Sequence, residues 1–118
     1  MSVQAIADTS FVSGFGIATS GMQAAEAAFD VAANNIANNE TPGYQSEDVE
    51  QQPLPGGGVE TTGVGVLPGV PPADPQESDV DMGTQMAGMM VAAGTYSANA
   101  KVVDVASQMQ RSLLSVVA

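Results

Sequence analysis

Asn34-Asn35-Ile36-Ala37-Asn38-Asn39-Glu40-Thr41-Pro42-Gly43-Tyr44 ends a long apolar periodicity in a turn. Upstream of it, Phe11, Phe15, Ala18, Met22, Ala25, Phe29, Ala32 and Ile36 follow one another in alternating steps of four and three. That is a heptad seam, and it predicts a helix over residues 11–39 preceded by a flexible segment, 1–10. In the turn, Asn38 and Asn39 tolerate the left-handed backbone that ends many helices, and Pro42-Gly43 suits the two central positions of a type II turn. Thr41 is held extended by the proline after it, and Tyr44 brings an apolar ring with a polar tip that can pin the turn to a helix.

A single apolar stripe must be buried against something. The only comparable stripe is at the other end of the chain: Met82, Met86, Met89, Ala93, Tyr96, Ala100 and Val103. It slips through Ala106 and continues near Gln110, Leu113 and Val117, two successive steps of three that resemble a local overwinding of a coiled coil. Ser78-Asp79-Val80-Asp81 supplies capping oxygens and carboxylates, with Ser78 or Asp81 as the cap, so the second helix is expected over 78–118. The fold expected is mainly α, with long N- and C-terminal helices paired as a coiled coil.

Between them, residues 40–77 hold the turn and a variable middle segment. Five of the seven prolines and six of the thirteen glycines fall between Gln45 and Asp74. Val59, Val64, Val66 and Val70, interrupted by Gly, Thr and Pro, predict either a short hairpin around Glu60-Thr61-Thr62-Gly63 or an extended loop. Gly56-Gly57-Gly58 lacks the lysine and hydroxyl residue of a phosphate loop, and reads as flexibility.

The interior is thin. Of 118 residues, eighteen are alanine, five are aromatic and none is tryptophan. Buried alanine contributes little transfer energy, so a marginal monomer that depends on neighbours is expected. Thirteen acidic residues against Lys101 and Arg111 give a net charge of −11, which argues against nucleic acid and anionic membrane as partners. Absence of cysteine excludes disulfides and zinc–thiolate sites. Met1 to Ser10 shows no basic segment leading into an apolar run, so no cleaved signal is expected, and no apolar run reaches membrane-spanning length.

The candidate chemical sites give way to structural readings. Met86, Met89 and Met90 at helical spacing suit packing better than a soft metal. Asp79, Asp81 and Gly83 resemble a fragment of a calcium loop but lack its distal glutamate, and capping accounts for them. With no histidine or cysteine, general-base and nucleophilic catalysis have no cast. No cofactor, metal or enzymatic activity is expected.

Asn34-Asn35-Ile36-Ala37-Asn38 followed by Thr41-Pro42-Gly43-Tyr44 resembles the N-terminal signature of the bacterial flagellar rod and hook axial proteins. Ser78-Asp79-Val80-Asp81-Met82, Met86, Met89 and Tyr96-Ser97-Ala98-Asn99-Ala100-Lys101-Val102 are similar to the family's closing helix. The resemblance implies that Phe15, Ala18, Met22, Ala25, Phe29, Ala32, Ile36, Met82, Met86, Met89, Tyr96, Ala100, Val103 and Leu113 form an assembly seam. Asn35, Asn38, Thr41, Pro42, Gly43 and Tyr44 would be the signature turn, and Asn99 the mark of the C-terminal segment.

It further implies a structural subunit of the basal-body rod that polymerises through its terminal helices into the axial tube. The short middle segment is most like that of a proximal rod protein. Implied partners are the chain itself, other flagellar axial proteins and the flagellar type III export apparatus, with a place in the periplasmic part of the basal body and no membrane insertion. Where the family often carries a basic residue just after the turn tyrosine and another two residues before the helix tyrosine, this chain has Gln45 and Gly94. A soluble helical export chaperone or regulator that binds axial proteins is the alternative from another class, and it predicts a stably folded free protein.

Overall fold

A computed structural model describes residues 3–117, with side chains from residue 13 onward; Phe11 of the expected seam lies outside those described side chains. Two long helices, α1 (Val3–Ala37) and α2 (Met82–Val117), flank a two-stranded antiparallel hairpin of β1 (Asp48–Pro53) and β2 (Val59–Gly65). The molecule is a narrow slab, 67 × 24 × 13 Å.

The first helix begins at Val3, inside the segment expected to be flexible, because nothing from Val3 to Phe11 is a glycine or proline that would interrupt it. It stops at Ala37, and no non-glycine residue among those described takes a positive φ. Asn38 therefore does not end the helix in the left-handed conformation expected of it. Its amide Nδ2 instead turns back to the Asn34 carbonyl at 2.9 Å, an acceptor that its own backbone N–H also reaches at 3.2 Å. At the start of α2, Asp81 is the cap. Its Oδ1 accepts from the Thr84 N–H at 3.2 Å, while Ser78 Oγ accepts from Val80 N–H in the preceding turn.

The helices run antiparallel along each other. Asn35 meets Gln85, and the backbone at Gly21 lies against the Asn99 side chain further along, so position numbers rise on one helix as they fall on the other. Ala18, Ala25, Ala32 and, from α2, Ala92 are buried along this interface. At about 0.8 kcal/mol per buried methyl or methylene, such a floor gains far less than one of leucines would.

In α2 the inward positions differ from the apolar stripe expected. Met82, Gln85, Met89, Ala92, Asn99, Val103 and Ala106 are the buried or half-buried positions at heptad steps, whereas Met86 is 56% exposed and Ala93 is exposed. Ala100 is also half-buried, and Leu113 and Tyr96 are open to solvent. No position from Gln108 to Val117 is buried. Gln85 turns inward to bond Asn35, and Asn99 to fill the notch at Gly21, where hydrophobicity alone selects their apolar neighbours.

The hairpin also differs from expectation. Val59 to Gly65 is its second strand, not a hairpin in itself, and Asp48-Val49-Glu50-Gln51-Gln52-Pro53 is the first. Gly56, Gly57 and Gly58 make the reversal, at φ of 89°, 105° and 95°. A side chain at Gly57 would meet Ile17 Cδ1 at 2.8 Å, so glycine lets the tip lie directly on α1. Ser20 Oγ accepts from Val59 N–H at 3.1 Å, and Gln51 Nε2 donates to the Ala24 carbonyl at 3.0 Å. The hairpin packs on α1 alone, leaving α2 clear of it.

Candidate functional site

The signature turn, the residue that leads into β1 and both helices meet at one side chain. Asn35 is completely buried, the only described residue buried so fully with a side chain larger than alanine's. Its Nδ2 donates to the Glu47 carbonyl at 2.8 Å and to Gln85 Oε1 at 2.9 Å, while Oδ1 accepts from the Tyr44 hydroxyl at 2.8 Å and from Glu47 N–H at 2.9 Å. Two donors and two acceptor positions are all that a carboxamide has, so the group is fully satisfied. Burial of an amide is tolerated only on that condition.

The turn presents these partners. Tyr44 N–H reaches the Thr41 carbonyl at 3.2 Å across Pro42-Gly43, and Gly43 has φ of 76°, as a type II turn requires at that position. Thr41 Oγ1 bonds Asn38 Oδ1 at 3.1 Å. A second strut runs to the approach of α2: Gly43 N–H donates to the Glu77 carbonyl at 2.9 Å, Asp79 N–H to the Tyr44 carbonyl at 3.1 Å, and Ser46 N–H to Asp79 Oδ1 at 2.6 Å. Gln45 Nε2 donates to the Pro71 carbonyl at 2.8 Å.

Tyr44 also accepts from Asn34 Nδ2 at 3.1 Å. Partial burial raises its phenol above the ordinary 10.0, and the neighbouring Glu47 and Asp79 carboxylates add to the rise against the lowering effect of the Asn34 bond. Both effects keep the hydroxyl protonated and able to donate to Asn35.

The remaining candidate residues divide by size. Ala18, Ala25 and Ala32 form the floor of the helix pair. Phe15, Met22 and Ile36 are half-buried along its edge, and Phe29 is 37% exposed there. Met82, Met89, Ala100 and Val103 are half-buried on α2. Asn99 sits in the notch left by Gly21, where a methyl would come within 2.6 Å of its Nδ2. Gln85, Glu47 and Gly21 were not among the residues singled out. Gly21 alone left a signal, as a glycine one position from Met22 in the heptad. Among the described residues no cluster of three metal-binding side chains occurs, and no helix is long and apolar enough to cross a membrane.

Two family models match the segments that Asn35 ties together. Residues 15–45 match the model described as flagella basal body rod protein, and residues 76–116 match flagellar basal body rod FlgEFG protein C-terminal. Together they take in more than half of the chain, in order, and leave out the beginning, the hairpin region and the last two residues. The chain belongs to the flagellar rod and hook axial protein family. No curated protein sequence matches it. Membership makes it a structural protein of the flagellar basal body, in a family whose members assemble with other axial proteins.

Proposed function

We propose that the chain is a subunit of the proximal flagellar rod, whose helices pair as a coiled coil and polymerise, with copies of itself or other axial proteins, into the axial tube. The observation that carries this reading is the union of the two family segments at Asn35, which makes one elongated body of the chain's two ends and sets the hairpin to one side. A small hairpin in place of a large inserted domain favours the proximal position. Family membership supports export through the flagellar type III apparatus and residence in the periplasmic part of the basal body.

The open apolar surface suits a subunit that is completed by neighbours. Phe29 is the informative position, because it is exposed in the single chain and its replacement leaves the alanine floor intact. Phe29→Asp is expected to abolish swimming and incorporation into isolated basal bodies while secretion of the chain persists, since burying a carboxylate at a subunit contact is costly. Met89→Asp, on the inner face, should do the same with loss of helicity in the free chain. Normal swimming by the Phe29→Asp strain would overturn the assembly role.

A further inference from the structure

Among the described residues, one side of α2 has no occupant. Val91, Gly94, Ala98, Val102, Val105 and Met109 recur at three- and four-residue steps, and all are exposed, Val91 to 69% and Val102 to 51%. None is charged. The row is offset from Met89, Ala92, Asn99 and Val103, which face α1, so α2 is apolar on two sides. A helix of that kind is stable in water only as part of a larger packing. The hairpin, lying on α1, does not reach it.

A surface of complementary form exists elsewhere on the same molecule. Beside the alanine floor, Ala25, Phe29, Ala92, Ala93 and Tyr96 line an open groove of about 440 Å³ whose rim carries Glu26 and Asp30. Both aromatic rings are partly bare. A furrow between two packed helices is the natural seat for a third.

Charge selects the occupant. Nine of the thirteen acidic residues fall between Glu40 and Asp81, where there is no lysine or arginine, whereas α2 carries Lys101, Arg111 and only Asp104. Copies of the chain repel one another over most of their surface, and α2 is the exception. Lys101 flanks the outward row, held only by a 3.8 Å contact to Asp104 in which both side chains are largely exposed. It is therefore free to turn toward a neighbour's carboxylates.

We infer that the outward face of α2 in one copy seats in the groove between α1 and α2 of the next, with Lys101 directed to Glu26 and Asp30. The contact joins two different surfaces, so it repeats from copy to copy and builds an open array instead of closing as a dimer. This rests on the subunit reading and names its interface.

Because the chain has no cysteine, introduced thiols report the contact cleanly. Ala98 lies on the outward row and Ala93 in the groove, and both are exposed, so Ala98→Cys and Ala93→Cys should fold as the parent does by circular dichroism. Five positions apart on a helix, the two thiols are too distant to pair within one chain. On mild oxidation of the concentrated purified protein, the chain carrying both substitutions should give a ladder of multimers, and a mixture of the single variants a dimer. Lys101→Glu should cut that yield severalfold, and adding Glu26→Lys should restore it.

Efficient dimerisation by Ala98→Cys alone would overturn the inference by showing that like faces meet. So would the absence of any cross-linked species from folded protein. Blotting of isolated basal bodies for the parent chain tests the subunit reading separately, since a cross-linked ladder in solution without rod incorporation would keep the interface and remove the rod.

Discussion

The Asn35 carboxamide concentrates the polar cohesion of this protein in four hydrogen bonds with no spare capacity. Removing it takes a partner from Glu47 N–H and carbonyl and from Gln85, and leaves Tyr44 only its bond from Asn34, all at half-buried groups. At about 1–3 kcal/mol for each buried polar group left unmade, Asn35→Ala is expected to cost at least 3 kcal/mol, enough to unfold a chain with so thin an interior. Loss of far-ultraviolet helicity at 25 °C would show it, and retention of parental helicity would refute it. Tyr44 makes the same node sensitive to alkali. Its folded-state phenol lies above the ordinary 10.0, so its contribution is fully present below pH 10 and is lost as pH rises through the raised folded value. Helicity should therefore fall reversibly above about pH 10, and Tyr44→Phe should be less stable at neutral pH but lack that titration step. The turn was legible from Thr41-Pro42-Gly43-Tyr44, because proline and glycine restrict backbone geometry locally. The fourfold bonding of Asn35 was not. Its partners Glu47 and Gln85 are twelve and fifty positions away, and nothing local distinguishes a buried amide from an exposed one.

At the level of elements, both helices were readable because each carries apolar residues at helical spacing over many turns. Along α2, Gln85 and Ala92 turn inward where Met86 and Ala93 were expected, whereas Met82, Met89 and Val103 of the same stripe are half-buried. Met86 is the better hydrophobe, yet Gln85 faces α1 because Asn35 there offers a hydrogen bond and Met86 has solvent or a neighbour to meet. Strand β1 escaped notice because Asp-Val-Glu-Gln-Gln-Pro has few strand-forming residues, and it is held by pairing with β2 and by Gln51 on the Ala24 carbonyl. Glycines in the helices divide into two kinds. Gly21 is filled by Asn99, whereas a methyl at Gly94 would meet nothing within 4 Å. Gly94→Ala is thus expected to stabilise the free chain by about 1 kcal/mol, seen as a higher unfolding midpoint. On the outward face of α2 the same methyl stands where a neighbour must approach, so this variant should incorporate into basal bodies less well than its stability suggests. Equal or better incorporation would argue that Gly94 is not at a contact.

Taken whole, the molecule is a long acidic body with its cations on one helix. Raising ionic strength from about 0.01 M to 0.15 M shortens the screening length from roughly 30 Å to 8 Å, and self-association followed by sedimentation should increase across that interval. A decrease would mean that attraction between opposite charges outweighs the general repulsion of a −11 chain. The hydrogen bonds that join the two halves of the chain lie close together. Asn35, Gly43, Tyr44, Ser46 and Gln85 crowd one end of a 67 Å body, while α2 beyond Ser107 has no buried position. The subunit is bolted at one end and compliant at the other, so opening should spread from the far end like a zip, with amides near the bolt the slowest to exchange with deuterium. A shaft built from such pieces would take its rigidity at the bolted ends from each chain itself, and everywhere else from the company it keeps.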